Sequence, residues 1–360
     1  MKFFCARIQR AHPDELETLH PAYFALVMAT GIVSISMHLH QVSVLPTLLL
    51  WLNAVFFGSL IVLTAARALL RPGAFMADLQ SHSRGVGFFT LVAASAVFGS
   101  QLLIQADAPS LASVFWAVAA ALWLLVTYGL FALLTVIPNK PALTDGINGG
   151  WLVSVVAAQS LAILTILLVG AGVADAFSEQ LFFAALVLWL GGGALYLLLI
   201  TLIFFRYTFY PMSPEDLTPP YWINMGALAI STLTGTLLLQ AAPISPVIAQ
   251  LMPFIQGVTL SFWSAGTWWI PMLLLLGFWR YAIRGVPFVY DPLYWGGVFP
   301  LGMYSVCTFH LARTFDEPFL LPLSKGFMII AGLAWCAAFA GLIDSWISGF
   351  SRPTNSGSHP

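Results

Sequence analysis

The chain has 360 residues, 60% hydrophobic and only 8% charged, with a mean hydropathy of +0.91 and a formal net charge of −1. Soluble domains carry roughly a quarter charged residues, so a soluble protein is excluded. Long apolar runs in place of short alternating strands exclude an outer-membrane barrel, which leaves an all-α polytopic membrane protein.

Apolar spans fall at 21–42, 46–66, 86–106, 111–137, 149–171, 180–205, 220–241, 248–279, 293–312 and 319–347. They predict ten transmembrane helices paired by short loops into five hairpins. The transmembrane domain is expected over 21–348, between a cytoplasmic segment 1–20 and a short cytoplasmic tail 349–360. Met1 to His20 lack an apolar core, so no cleavable signal is expected. The eighth span exceeds one upright crossing and must tilt, start in the interface, or bend at Pro253 or Pro271. Cys5, Cys307 and Cys336 show neither metal-ligand spacing nor a disulfide framework. No metal, cofactor or nucleic acid is expected as a partner. No phosphate loop, serine nucleophile elbow or His-x-x-x-His face appears, so no catalytic site is expected either.

Positive charge sets the orientation. With the N-terminus inside, the inner segments hold Lys2, Arg7, Arg10, Arg67, Arg71, Arg84, Lys140, Arg206, Arg280, Arg284 and Arg352, against Arg313 and Lys325 outside. Both termini are therefore expected in the cytoplasm.

The odd-numbered spans share a weak repeat. Each has an aromatic near its cytoplasmic start and a small residue seven positions on: Phe24/Gly31, Phe89/Ala96, Trp151/Ala158, Trp222/Ala229 and Trp295/Gly302. The anchors recur once per hairpin, as five copies of one unit would. Odd spans also carry most of the polar side chains at depth, including Thr30, Ser34, Ser95, Gln159, Asn224 and Ser305. Odd helices are read as an inner ring around a central path and even helices as outer, facing lipid. The same residues also suit tight helix–helix packing.

The ninth span combines bilayer-spanning length with Gly296, Gly297, Pro300 and Gly302. Proline removes a backbone hydrogen bond and bends a helix, which a membrane tolerates where the freed backbone is buried or lines a cavity. Phe299, next to this kink, is placed to close a pore bordered by the helix.

Three stretches resemble one family: His20-Pro-Ala-Tyr-Phe-Ala-Leu-Val-Met-Ala-Thr-Gly-Ile32, Pro214-Glu-Asp-Leu leading into Pro219-Pro-Tyr-Trp-Ile-Asn-Met-Gly226, and Trp295-Gly-Gly-Val-Phe-Pro-Leu-Gly302. The chain is similar to the tellurite-resistance/dicarboxylate transporter family. That family includes bacterial TehA-like proteins, fungal malate permeases, sulfite-efflux proteins and the slow anion channels of plant guard cells. The resemblance implies ten helices in a quasi-five-fold arrangement around an anion pore, a homotrimer, and a plugging phenylalanine at the position of Phe299, followed by Pro300. Short termini resemble bacterial members, implying an inner (plasma) membrane location. Ala29 departs from the glycine of many relatives, and the third and fifth helices lack the family's proline.

Small inorganic or organic anions are thus the expected ligands, with Phe24, Thr30, Ser34, Ser95, Gln159, Asn224, Gly302 and Ser305 as candidate pore lining. Arg67, Arg71, Arg84, Arg206, Arg280 and Arg284 either anchor the topology and touch headgroups or rim a cytoplasmic vestibule that concentrates anions. His38, His40 and His310 fall near the outer mouth, as interfacial histidines or as anion-attracting or pH-sensing groups. No acidic residue lies at bilayer depth, unlike the chains of proton-coupled pumps, which favours passive flow. The alternatives are a proton-coupled carrier of C4-dicarboxylates, sulfite or tellurite, and an integral membrane enzyme or haem protein.

Overall fold

A computed structural model of the chain describes residues 13–350. Lys2, Cys5, Arg7, Arg10 and Arg352 lie outside the described residues, with most of the two expected terminal segments. The regular structure described is helical throughout, as it must be where lipid offers no partner to a free backbone group.

Ten helices are long: α1 (Ala25–Leu39), α2 (Leu45–Leu70), α3 (Phe89–Ala106), α4 (Pro109–Val136), α5 (Val153–Gly170), α6 (Ser178–Phe209), α7 (Ile223–Ala241), α8 (Pro246–Phe278), α9 (Trp295–Thr314) and α10 (Leu321–Phe350). Nine of them, with their flanking turns, are long and apolar enough to cross a membrane by length and composition. The other is α9, whose glycines, Pro300, Ser305 and His310 dilute its hydropathy. The 33 residues of α8 run through both Pro253 and Pro271 without a break. At about 1.5 Å per residue they span roughly 50 Å, more than the ~30 Å hydrocarbon core.

Burial separates the odd helices from the even ones. Between 72% and 94% of the apolar window is buried in the spans holding α1, α3, α5 and α7, against 17% to 39% for the five even helices. Every odd helix packs on the next, and α9 closes on α1. Even helices stand outside, each against its hairpin partner, with Trp51, Leu125, Leu197, Leu275 and Leu333 exposed.

Each odd helix is entered through a short 3-10 turn: Pro21–Phe24, Gly85–Phe88, Gly149–Leu152, Pro219–Trp222 and Pro292–Tyr294. The five aromatic anchors of the sequence repeat sit where these turns pass into helix. Proline at the first position presets the backbone and lacks an N–H that would go unbonded. His20, Asn148 and Asp291 accept, through their side chains, the N–H two residues on. These turns also form a closed ring, each touching two others. The ring draws tight at Gly149, where a Cβ would fall 2.4 Å from the Pro220 carbonyl oxygen. This end of the bundle is called proximal below.

Candidate functional site: an apolar axis interrupted at Phe299

The inner ring encloses two cavities. The proximal one, about 500 Å³, is rimmed by His20, Arg84, Asn148 and Thr218 and walled by Met28, Thr90, Val156, Ile223 and Phe299. The distal one, about 150 Å³, is walled by Ile32, Ile35, Val97, Ser160, Ile163, Ile230, Leu233, Met303 and Val306, with His310 as its titratable group.

The helical register shows that the two cavities share an axis. On α1 the walls use Met28, then Ile32, Ile35 and Leu39; on α5, Val156, then Ser160, Ile163 and Leu167; on α9, Phe299, then Met303, Val306 and His310. Steps of three and four follow a single face of a helix. From Phe299 to Met303 is four residues, about 6 Å of rise. The cavities are therefore separated by about one turn, and Phe299, 1% exposed, stands at that interruption.

Pro300 points away from the axis, into α7. A Cβ on Gly226 would lie 2.7 Å from Pro300 Cγ, so the proline ring fits only because residue 226 has no side chain. The sequence reading did not assign this seat. Its only sequence signal was the glycine that closes the Pro219–Gly226 stretch.

Neither axial cavity is lined by Phe24, Thr30, Ser34, Ser95, Gln159, Asn224, Gly302 or Ser305. Thr30 Oγ1 donates to Leu26 O (2.8 Å) and accepts from Trp335 Nε1 (2.9 Å). Ser34 Oγ donates to Pro46 O (2.8 Å) and accepts from Gln105 (2.9 Å). Ser95 donates to its own helix at Leu91 O (2.8 Å), and Gln159 to Trp189 O on α6 (3.0 Å). Asn224 donates to the Tyr207 hydroxyl (3.2 Å) and Ser305 to Ser324 O on α10 (2.7 Å). Phe24 packs edge-on against Phe57. Gly302 is the close approach to α1, with Ile32 Cγ2 2.8 Å from where its Cβ would stand. A buried polar group needs a partner; each of these six polar side chains donates to a neighbouring helix or its own backbone, and the axis is walled mainly by aliphatic side chains, with Thr90, Ser100 and Ser160 among them.

Of the six arginines, only Arg84 and Arg206 line the proximal cavity. Arg84 Nε donates to Asp78 Oδ1 (2.6 Å). Arg206 bonds the Tyr221 hydroxyl and lies 3.7 Å from Asp216. Asp145, Glu215 and Asp216 share that lining, so its charges are mixed. Arg67 is buried on Asp78 (2.5 Å) and on the carbonyls of Leu19 and Glu17. Arg71 faces Glu17 at 3.9 Å on the surface, and Arg284 covers the Trp279 ring. Arg280 lines a separate lateral cavity. Burial, reinforced by the Arg84 guanidinium, holds the His20 imidazole down at about 4. The neutral ring suits its cap role, since Nδ1 accepts from Ala22 N–H (3.0 Å).

A ring of five inner helices with a cavity on either side of one aromatic side chain, sheathed by apolar outer helices, defines a polytopic membrane transport protein. Comparison with known proteins places it more closely. The sequence profile of the voltage-dependent anion channel (SLAC1) family matches residues 18–343, and the chain belongs to that family. An uncharacterized membrane protein of Mycobacterium tuberculosis is 33% identical over 149 residues, 41% of this chain and 75% of the relative. An uncharacterized transporter of Methanocaldococcus jannaschii is 26% identical, covering 83% of this chain and 84% of its own length. A sulfite efflux pump of Arthroderma benhamiae is 22% identical, with 90% of each chain covered.

Proposed function

We propose that this protein is an anion channel in which anions pass along the axis of α1, α3, α5, α7 and α9, and that the Phe299 ring is the gate. The observation that carries the reading is the pair of coaxial cavities interrupted at the level of Phe299. In this reading α9 is the tenth bilayer crossing, the proximal end faces the cytoplasm of a bacterial cell, and the protein is a homotrimer with one axis per protomer. The excess of Arg and Lys expected inside supports the sidedness, and the apolar outer faces of the even helices support burial against lipid or another protomer.

A phenyl ring in an aliphatic constriction blocks ions sterically and by dewetting, since nothing beside it can replace a hydration shell. Swinging it aside exposes a buried side chain, at a cost of about 1–3 kcal/mol. That holds the closed form at roughly fivefold to a hundredfold excess, taking ~1.4 kcal/mol per decade. Anion preference does not come from a fixed cation at depth. Five helix N-termini surround the proximal cavity, and each contributes the partial positive end of its peptide dipoles. Weak attraction of this kind lets an ion leave as readily as it enters, so permeability follows dehydration cost, nitrate and iodide above chloride. The efflux pump among the relatives makes sulfite an anion to test as well.

The experiment is conductance of the purified protein in planar bilayers. Phe299→Ala should conduct constitutively and Phe299→Leu partially. Phe309→Ala, on the same helix but packed edge-on against His40 away from the cavities, should change little. Current should reverse at the anion Nernst potential whatever the pH gradient. A folded Phe299→Ala protein that stays silent, or moves anions only with a proton gradient, would give the case to a coupled carrier.

A further inference from the structure

A cavity of about 640 Å³ lies off the axis, at the proximal end on the outer side of α9. It opens between α8 and α10, beside the exposed Leu274, Leu275, Phe278 and Leu333. One wall is a small-residue stripe on α10, Ala334, Ala337, Ala338 and Gly341, and the facing wall on α8 includes Gly277. Its floor is the back of the helix that carries Phe299: Gly297, Val298 and Leu301. Gly297 and Leu301 stay partly exposed there, on a helix otherwise buried at this depth.

The mouth of this slot is polar. α8 ends in a π turn, Trp279–Ile283, a geometry that recurs at functional sites, and it presents Arg280. One terminal nitrogen of Arg280 donates to the Leu217 carbonyl. Its Nε is shut off from solvent yet meets no acceptor, and a buried donor in a native protein is normally bonded. The Tyr281 and Tyr294 hydroxyls, 2.9 Å apart, share one hydrogen bond and leave one O–H free to donate. Asp344 also lines the slot, with no ion pair among the described residues. Unused donors and one carboxylate therefore stand at the end of an apolar slot open to the bilayer.

We infer that this slot is a binding site for a phospholipid with an ammonium-bearing headgroup, such as phosphatidylethanolamine. The phosphate accepts from the Arg280 guanidinium and the tyrosine hydroxyl pair, the ammonium faces Asp344, and an acyl chain lies between α8 and α10 against Gly297 and Leu301. A free phosphate would leave the apolar slot unfilled, and a headgroup without a cation would leave Asp344 unpaired. The site does not depend on whether the axis conducts.

Native mass spectrometry of the full chain, delipidated in mild detergent and titrated with phosphatidylethanolamine or phosphatidylglycerol, tests this. The wild type should retain one phosphatidylethanolamine per protomer and hold phosphatidylglycerol at least tenfold more weakly. Gly277→Leu fills the slot, and its Cβ meets nothing within 4 Å, so the helix accepts it; retention should fall at least tenfold. Arg280→Gln should lower retention similarly, and Asp344→Asn should erase the preference between the two lipids while leaving binding. Lipid adducts unchanged by Gly277→Leu would overturn the proposal. So would loss of the oligomer in that variant with lipid retention intact, which would make the slot a contact between copies of the chain.

Discussion

Replacing Gly226 with alanine would set a methyl carbon 2.7 Å from Pro300 Cγ and 2.9 Å from its Cβ. Carbon atoms attract best at about 3.5–4.0 Å, so the two groups must part by roughly 0.8 Å. Neither can turn aside: the proline ring is fused to the α9 backbone, and Gly226 is buried in α7. The helices themselves must separate, and overpacking of this kind costs about 1–3 kcal/mol. The backbone part of the change is measured at Gly129, in α4, where an added Cβ has nothing within 4 Å. There alanine should be neutral or stabilising by roughly 0.5–1 kcal/mol, the ordinary helix gain over glycine. Reversible denaturation in mixed micelles, followed by circular dichroism, should place Gly226→Ala about 1–3 kcal/mol below Gly129→Ala. In bilayers Gly226→Ala should alter the basal leak, because Phe299 moves with Pro300, and should have no such effect once Phe299 is alanine. Equal stability of the two glycine variants would show that Pro300 is not seated on Gly226.

Arg67→Ala should cost roughly 1–3 kcal/mol, because it removes charge-assisted hydrogen bonds to Asp78 and to the Leu19 and Glu17 carbonyls while Arg84 still pairs Asp78, whereas Arg71→Ala breaks an exposed 3.9 Å pair and should cost at most about 1 kcal/mol; the same denaturation assay reads both. Ser324→Ala should lose about 1–3 kcal/mol, since it unpairs His40 Nε2 and disturbs Ser305. It should leave conductance unchanged, as none of the three lines the proximal cavity or Phe299's surroundings. For His20, held at about 4 against 6.5 unfolded, the unfolded chain alone binds the proton between those values. Stability is therefore complete above pH 6.5 and falls as pH drops towards 4, by at most ~1.4 kcal/mol per unit. His20→Asn keeps a cap acceptor and should flatten that slope in a pH series of denaturation curves.

The inner and outer helices were legible because burial leaves a compositional trace. Leu48-Leu49-Leu50 reads as a bulky outer stretch, whereas the run around Gly226 and Ser231 reads as a packed inner one. Phe299 was legible through its neighbours Gly296, Gly297 and Pro300, which a helix immersed only in lipid has no use for. The orientation of the polar side chains was not legible. In a soluble helix a serine marks the wet face; in α3, Ser95 satisfies itself on Leu91 O and could point anywhere. Polarity thus carried no facing information, and the lining residues are the aliphatic ones that composition could not single out, such as Met28, Val156 and Met303. The surroundings of Arg67 were not legible for a related reason. A run of arginines looks like a charged rim until Asp78, on a separate short helix, is seen to take up two of them.

One polypeptide supplies all five walls of the axis, and that frees each wall to differ in side chain while the backbone keeps its five-part plan. A barrel of identical subunits would place the same residue on every wall at a given height, and admitting an ion would require several copies to yield together. Under the proposed gating by Phe299, a single ring yields while its neighbours need not move. Activation would then be an event of one side chain, without the steep sigmoidal dependence that concerted movement produces. A single substitution on any one helix can retune the passage without the change being multiplied around it.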